Sequence, residues 1–214
     1  MFYVFPRAVP KKECKKLLKF CIKNTKYTDA SVINKGFTDS DTVAIQKSMP
    51  DDRSRTDHDV RKTDIGFITD KDNQVNEIAW HFLREANKIQ FNYKLDIFQP
   101  VQFARYRNGG HYDWHQDASG QNAHGESRKL SLTFCLTDPN VYEGGELEFY
   151  HGDREKEDLD LPDGTKVPAK QIQQDIRDQG SVIVFDSRDW HRVTPCTKGT
   201  RYSIVCWTVG PNFI

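Results

Sequence analysis

Arg128-Lys129-Leu130-Ser131-Leu132-Thr133-Phe134-Cys135-Leu136 is the stretch whose reading decides the fold. Side chains on a strand alternate between faces. Leu130, Leu132, Phe134 and Leu136 therefore form one apolar face, and Lys129, Ser131, Thr133 and Cys135 form the other. An apolar back and a small, polar front suit the wall of a polar cavity. Working outward, Val101–Tyr106 also alternates as a strand, and short strands are predicted over 145–150, 181–186 and 201–208, each bounded by Gly or Pro signals. Upstream the period is helical. Cys14, Leu17, Leu18 and Cys21 recur over a lysine-rich face at 11–24, behind Pro10. Val75, Ile78, Ala79, Phe82, Leu83, Ala86 and Ile89 make one stripe over 73–90. Helices first and strands after predict an α+β chain, and many short antiparallel strands with a buried polar front predict a jelly roll.

The chain has 214 residues, 12% aromatic and 29% charged, with zero formal net charge. That composition suits a globular protein with a real core and not a disordered one. Zero net charge gives no general attraction to nucleic acid or an anionic membrane. Residues 1–50 carry ten Lys/Arg against four Asp/Glu, and 151–180 is net acidic; both read as solvated faces. No apolar run approaches the ~20 residues of a membrane span, and Met1–Arg7 lacks the order of a signal peptide. Cys14, Cys21, Cys135, Cys196 and Cys206 are odd in number and scattered. They read as packed free thiols in a reducing, cytoplasmic compartment. Residues 38–60 and 151–179 read as long polar loops that could close over a cavity, with Arg53, Arg55 and Arg61 available to steer an acidic peptide.

His115-Gln116-Asp117 carries the chemistry, together with His191 and then Arg201. Two imidazoles and a carboxylate are the ligand set of non-haem iron(II) oxygenases, which leaves three metal positions open. His115 and Asp117 are two apart, which on a strand puts both on one face. His191 arrives from a different strand. Among the other histidines, His111, His124 and His151 have no carboxylate two residues on and no matching arginine, so they read as surface or supporting groups.

Several motifs in order extend the pattern. Tyr106-Arg107-Asn108-Gly109-Gly110-His111-Tyr112-Asp113-Trp114-His115-Gln116-Asp117 resembles the iron-binding segment of the prolyl 4-hydroxylase-like family of iron(II)/2-oxoglutarate-dependent dioxygenases. Gly144-Gly145-Glu146-Leu147 is similar to the family's turn-and-strand, and Gly180–Phe185 to its penultimate strand. His191-Arg192-Val193-Thr194-Pro195 and Gly199-Thr200-Arg201-Tyr202-Ser203 resemble its distal histidine and co-substrate arginine. The resemblance covers roughly residues 75–210. It implies a double-stranded β-helix core over 96–214, supported by helices and loop from 1–95, in one oxygenase domain spanning 1–214.

The resemblance also implies roles. His115, Asp117 and His191 are the iron ligands. Arg201 pairs with the far carboxylate of 2-oxoglutarate, where a planar fork suits a carboxylate better than an ammonium does. Tyr106 hydrogen-bonds the co-substrate. Thr133, from a strand front that also offers Ser131 and Cys135, helps hold the far carboxylate. Tyr112 and Trp207 line the mouth of the site or the core. The co-substrates are 2-oxoglutarate and O2, with ascorbate as reductant and succinate and CO2 as products. Asp117 argues against the related halogenases, which lack the carboxylate. The implied substrate is a prolyl residue in a peptide or protein. A free amino acid or other small molecule would use the same core. A nucleic-acid demethylase would carry a second arginine six residues after Arg201, where Trp207 stands. A non-enzymatic metal-binding jelly-roll module would need a broken triad or no arginine.

Overall fold

The computed structural model describes residues 2–29, 61–68, 74–118, 126–150, 159–160, 166–167 and 176–212. The predicted loop 38–60, with Arg53 and Arg55, lies outside them, as do His124, His151 and most of 151–175.

The early part of the chain holds β1 (Phe2–Phe5), α1 (Lys11–Asn24), β2 (Thr28–Asp29), β3 (Arg61–Lys62), β4 (Asp64–Ile68) and α2 (Gln74–Ala86). Next come β5 (Ile97–Phe98), β6 (Val101–Tyr106), β7 (Gly110–His115), β8 (Glu126–Cys135), β9 (Glu143–Gly144) and β10 (Leu147–Phe149). The remaining strands are β11 (Leu159–Asp160), β12 (Lys166–Val167), β13 (Val182–Asp186), β14 (His191–Lys198) and β15 (Arg201–Pro211). Both predicted helices and the strand at 101–106 fall where the periodicity puts them. The segment before residue 96 also supplies four strands, which were not predicted. The strand expected over 145–150 starts at Leu147, because Gly144 and Gly145 turn the chain with positive φ.

All the paired strands are antiparallel and build two main sheets. The larger has the order β1-β13-β8-β15-β6-β4-β2, with β5 beside β15. The smaller has the order β10-β14-β7-β3, with β9 beside β14. This is the jelly-roll core that the alternation predicts. β8 is central in the large sheet, and its two faces meet different partners.

Behind β8, Leu130, Leu132, Phe134 and Leu136 pack with Cys14, Leu17 and Cys21 of α1 and Val75, Ala79, Leu83 and Ala86 of α2. In front, Cys135 joins Tyr106, Leu147, Phe149, Ile183, Phe185 and Val193 between the sheets. Burial pushes the thiols of Cys14 and Cys21 up, to about 11 and about 12, so both stay protonated and act as small hydrophobes.

Alternation along β8 fails at one end. Trp207 lies opposite Ser131 but Val209 lies opposite Arg128, so Lys129 and Leu130 together face Thr208. Two residues opposing one is a β-bulge. It returns Arg128 to the same face as Ser131. Lys129, predicted on the polar front, instead feels the charges of Arg188 and Asp186.

The α2 stripe is also broken once. After Ala86 the helix widens into a π-turn over Asn87–Phe91, closed by Asn92 in the left-handed region (φ 53°) with its N–H on the Asn87 carbonyl. The wider turn rotates Ile89 off the predicted face, and it is 55% exposed. Leu83→Ala should therefore cost about 2–5 kcal/mol, whereas Ile89→Ala should stay within about 0.5 kcal/mol of the parent. Urea unfolding midpoints of the two variants check this contrast.

Candidate active site

The two histidines meet as cross-strand neighbours. His191 opens β14 directly opposite His115, the last residue of β7, and their ring centroids lie 4.1 Å apart. Asp117 does not share the strand with His115, as the two-residue spacing predicted, because β7 ends at His115. A bend carries Asp117 inward and is fixed by the Ala118 N–H donating to the Ser187 carbonyl at 2.8 Å. The Asp117 carboxylate ends 3.6 Å from Nε2 of each histidine. One atom from each of the three residues lies within 4.8 Å of the others, and this is the cluster of metal-ligating side chains found among the described residues.

Each imidazole is aimed by its own backbone. Nδ1 of His115 lies 2.8 Å from the Asp113 carbonyl, and Nδ1 of His191 lies 2.9 Å from the Asp189 carbonyl. A ring that donates from Nδ1 keeps its Nε2 lone pair free, which is the tautomer a metal needs. Burial pushes the His191 imidazole below its usual value, which favours the neutral form. The Phe185 ring, 4.6 Å from that of His191, supplies much of the apolar wall.

Burial works to raise the Asp117 carboxyl, but His191, His115 and Arg128 outweigh it and hold the group well below the usual carboxylate range. Ser131 donates to it at 2.6 Å and contacts the Ser187 hydroxyl at 2.9 Å. Sequence reading offered Ser131 for the co-substrate; the structure puts it on Asp117. A carboxylate and two imidazoles facing one point match a hard or borderline divalent cation with open positions.

Arg201 is 5% exposed and lies opposite Tyr106, whose ring is 5.3 Å from the guanidinium carbon. Its Nη1 donates to Ser203 at 3.1 Å. Among the described residues no carboxylate forms an ion pair with it. It lines a cavity with Thr133, Cys135, Tyr142, Leu147 and Ile183. Three of these stand two residues along a strand from a group at the triad. Thr133 is two from Ser131, Ile183 is two from Phe185, and Leu147 is two from Phe149. The cavity therefore begins one row of side chains, about 7 Å, from the triad.

Tyr142 is the cavity residue that sequence reading missed. Burial pushes its hydroxyl up, so it stays a donor, and the hydroxyl lies 3.6 Å from the Cys135 sulfur on the cavity that Arg201 lines. Its position two residues before Gly144-Gly145 was the available signal. Gly145 has φ +63°, and a Cβ there would lie 3.0 Å from Cδ of Arg201. A side chain at this turn would crowd the arginine, so glycine serves both the turn and the cavity.

Tyr112 stacks on His115 with centroids 3.5 Å apart, so it is part of the site wall. Trp207 is buried opposite Ser131. The rival His111 turns its Nδ1 to the Gly109 carbonyl and takes no part in the cluster. Cys196 and Cys206 are buried, and burial raises both thiols, which agrees with packing. If Ser131 aims Asp117, Ser131→Ala should weaken divalent-metal affinity by about 10–100-fold with the fold intact. Titration of the metal-free protein with Mn(II), alongside its circular dichroism, measures this.

Comparison with known proteins agrees with the geometry. Residues 101–209 match the model of the 2OG-Fe(II) oxygenase superfamily. A PKHD-type hydroxylase of Pseudomonas aeruginosa is 30% identical over 118 residues, covering 53% of this chain and 44% of that protein. Another, from Pseudoalteromonas atlantica, is 35% identical over 112 residues, covering 50% and 42%. The matches thus span less than half the length of these relatives. Among solved structures, a viral collagen prolyl hydroxylase from Paramecium bursaria Chlorella virus-1, in its 2-oxoglutarate complex, superposes with TM-score 0.60 at 17% identity, covering 98% of this chain and 96% of that one. A Pseudomonas putida prolyl-4-hydroxylase gives 0.59 at 18%, covering 97% and 91%. The jelly roll, the triad with its neighbouring buried arginine and the match over more than half of the chain lead to one conclusion: the chain belongs to the 2OG-Fe(II) oxygenase superfamily.

Proposed function

We propose that this protein is an iron(II)- and 2-oxoglutarate-dependent hydroxylase acting on a prolyl residue of a peptide or protein, with succinate and CO2 as co-products. The observation that carries the reading is Arg201, a buried cation with no ion-pair partner among the described residues, one row of side chains from a two-histidine, one-carboxylate cluster. A buried charge is costly unless paired. A dicarboxylate reaching from the cluster to the arginine would pair it. The prolyl assignment draws on the solved relatives, one of which, from Trichoplax adhaerens, is a prolyl hydroxylase in complex with a hypoxia inducible factor peptide fragment (TM-score 0.58, 15% identity).

When bound, the iron and its co-substrates supply the oxidative chemistry that couples decarboxylation of the keto acid to hydroxylation of a C–H bond. The chain's own residues do the rest. His115, Asp117 and His191 would hold the metal by one face. Ser131 fixes Asp117, and the Asp113 and Asp189 carbonyls fix the rings. Arg201 takes the far carboxylate, with Tyr142 and Thr133 as further hydrogen-bond donors and the Tyr106 ring beside the guanidinium. Phe149, Phe185 and Tyr112 keep water from the imidazoles. We take residues 1–214 to act as one oxygenase domain, because β1 extends the large sheet beside β13 and both helices cover its back.

Purified protein with iron(II), 2-oxoglutarate and ascorbate as reductant should release succinate slowly without a prime substrate. Asp117→Ala should abolish that release at controlled iron occupancy; sustained release would end the assigned role. Removing one member of a buried charge pair costs about 3–5 kcal/mol. Arg201→Ala should therefore raise the 2-oxoglutarate Michaelis constant at least about a hundredfold, with metal binding near normal. Arg201→Lys should recover part of the loss. Anaerobic titration of 2-oxoglutarate into each variant provides the measurement.

A further inference from the structure

Two arginines stand near the triad, each over an aromatic ring that borders it. Along β8 the front-face order is Arg128, Ser131, Thr133: first a guanidinium, then the residue that holds Asp117, then the cavity wall. Arg128 lies with its guanidinium carbon 4.0 Å over the Trp207 ring, and its Nε donates to Gln99 at 3.1 Å. From the small sheet, Arg61 of β3 lies 4.3 Å over the Tyr112 ring, which in turn stacks on His115. The two guanidiniums are close enough for the charge of Arg61 to act on Arg128. Asp117 and Tyr112 act on it as well.

This corner holds more donors than acceptors. Among the described residues, Nε of Arg61 and Nε1 of Trp207 are both buried without a hydrogen-bond partner. Trp207 is only 6% exposed, so water does not make up the loss. Asp117, whose charge acts on Arg128, is already engaged by Ser131 and stands 3.6 Å from the histidines. With a divalent cation and a 2-oxoglutarate dianion in place, and Arg201 taking the far carboxylate, Asp117, Arg201, Arg61 and Arg128 together leave two positive charges uncompensated, and Arg61 and Arg128 carry them. A carboxylate offers two oxygens in the plane of a guanidinium fork, and it is the anionic group that an amino-acid or peptide substrate carries.

We propose that Arg61 and Arg128, with the Trp207 indole N–H, bind a carboxylate of the prime substrate, so that the hydroxylated residue bears or adjoins a carboxylate. The charge balance rests on the oxygenase reading above. The carboxylate has two sources, the α-carboxylate of a free or C-terminal residue and the side chain of an acidic neighbour.

Two probe pairs separate these sources: N-acetyl-proline against its amide, and N-acetyl-Glu-Pro-amide against N-acetyl-Gln-Pro-amide. Calorimetric titration into the anaerobic Mn(II)/2-oxoglutarate complex reads binding whether or not turnover follows. The acid of one pair should bind at least about tenfold more tightly than its neutral partner, and the pair that responds identifies the source. Arg128→Gln and Arg61→Gln should each bring that ratio to about three or less. A merely structural arginine would weaken acid and neutral probes alike and leave the ratio unchanged. Equal affinity within both pairs, or no binding of either acid at about 10 mM, overturns the proposal. Succinate release without substrate, measured on the same preparation, tests the oxygenase reading separately.

Discussion

A buried carboxylate is the constraint around which the site is arranged. Taking Asp117 out of water costs several kcal/mol unless its oxygens find partners. One partner is the Ser131 hydroxyl, and the imidazole nitrogens of His115 and His191 stand at 3.6 Å. Those three partners come from three strands, β8, β7 and β14, so the carboxylate is satisfied only once both sheets are in place. The fold and the site thus assemble together. The backbone carbonyls of Asp113 and Asp189 then complete the arrangement by fixing which nitrogen each ring presents.

Rigidity comes from behind. The apolar face of β8 is covered by α1 and α2, and the residues that touch it, among them Leu83, Val75 and Cys14, are fully buried. A strand clamped on one face can hold polar groups on the other without closing over them. The front of β8 is accordingly small. Ser131 and Thr133 leave room where a leucine would fill the cavity, and further along the neighbouring strand β15 supplies Ser203, opposite Cys135, and the buried Arg201.

Positive charge is distributed around the triad, and each arginine is held differently. Arg201 is enclosed among Tyr106, Tyr142 and Ser203. Arg61 and Arg128 lie over aromatic rings, which supports a guanidinium, and Arg128 is further held by Gln99. Two anionic groups approaching separate arginines would both be attracted to the centre. Direct repulsion between those groups is reduced because each has its own cation.

Much was legible in the sequence. Period alone located both helices, β6 and the two-faced β8, because burial on one face forces the alternation. The order of His115, Asp117, His191 and Arg201 selected the chemistry of the cluster, since few residue types can serve a metal or a dicarboxylate. Local geometry was less accessible. Alternation put Lys129 on the polar front, but a bulge set by pairing with β15 put Arg128 there. Spacing placed Asp117 on a strand with His115, but the strand ends first and a bend stabilised by Ser187 carries it inward. The Ile89 stripe position was lost to a π-turn. Tyr142 and the Arg61–Tyr112 stack depend on segments far apart in the chain. The sequence by itself determined which side chains could do the chemistry and which faces had to be buried. The tertiary structure decided which of them meet, because bulges, strand ends and cross-sheet contacts arise from pairing between distant segments and leave no local period.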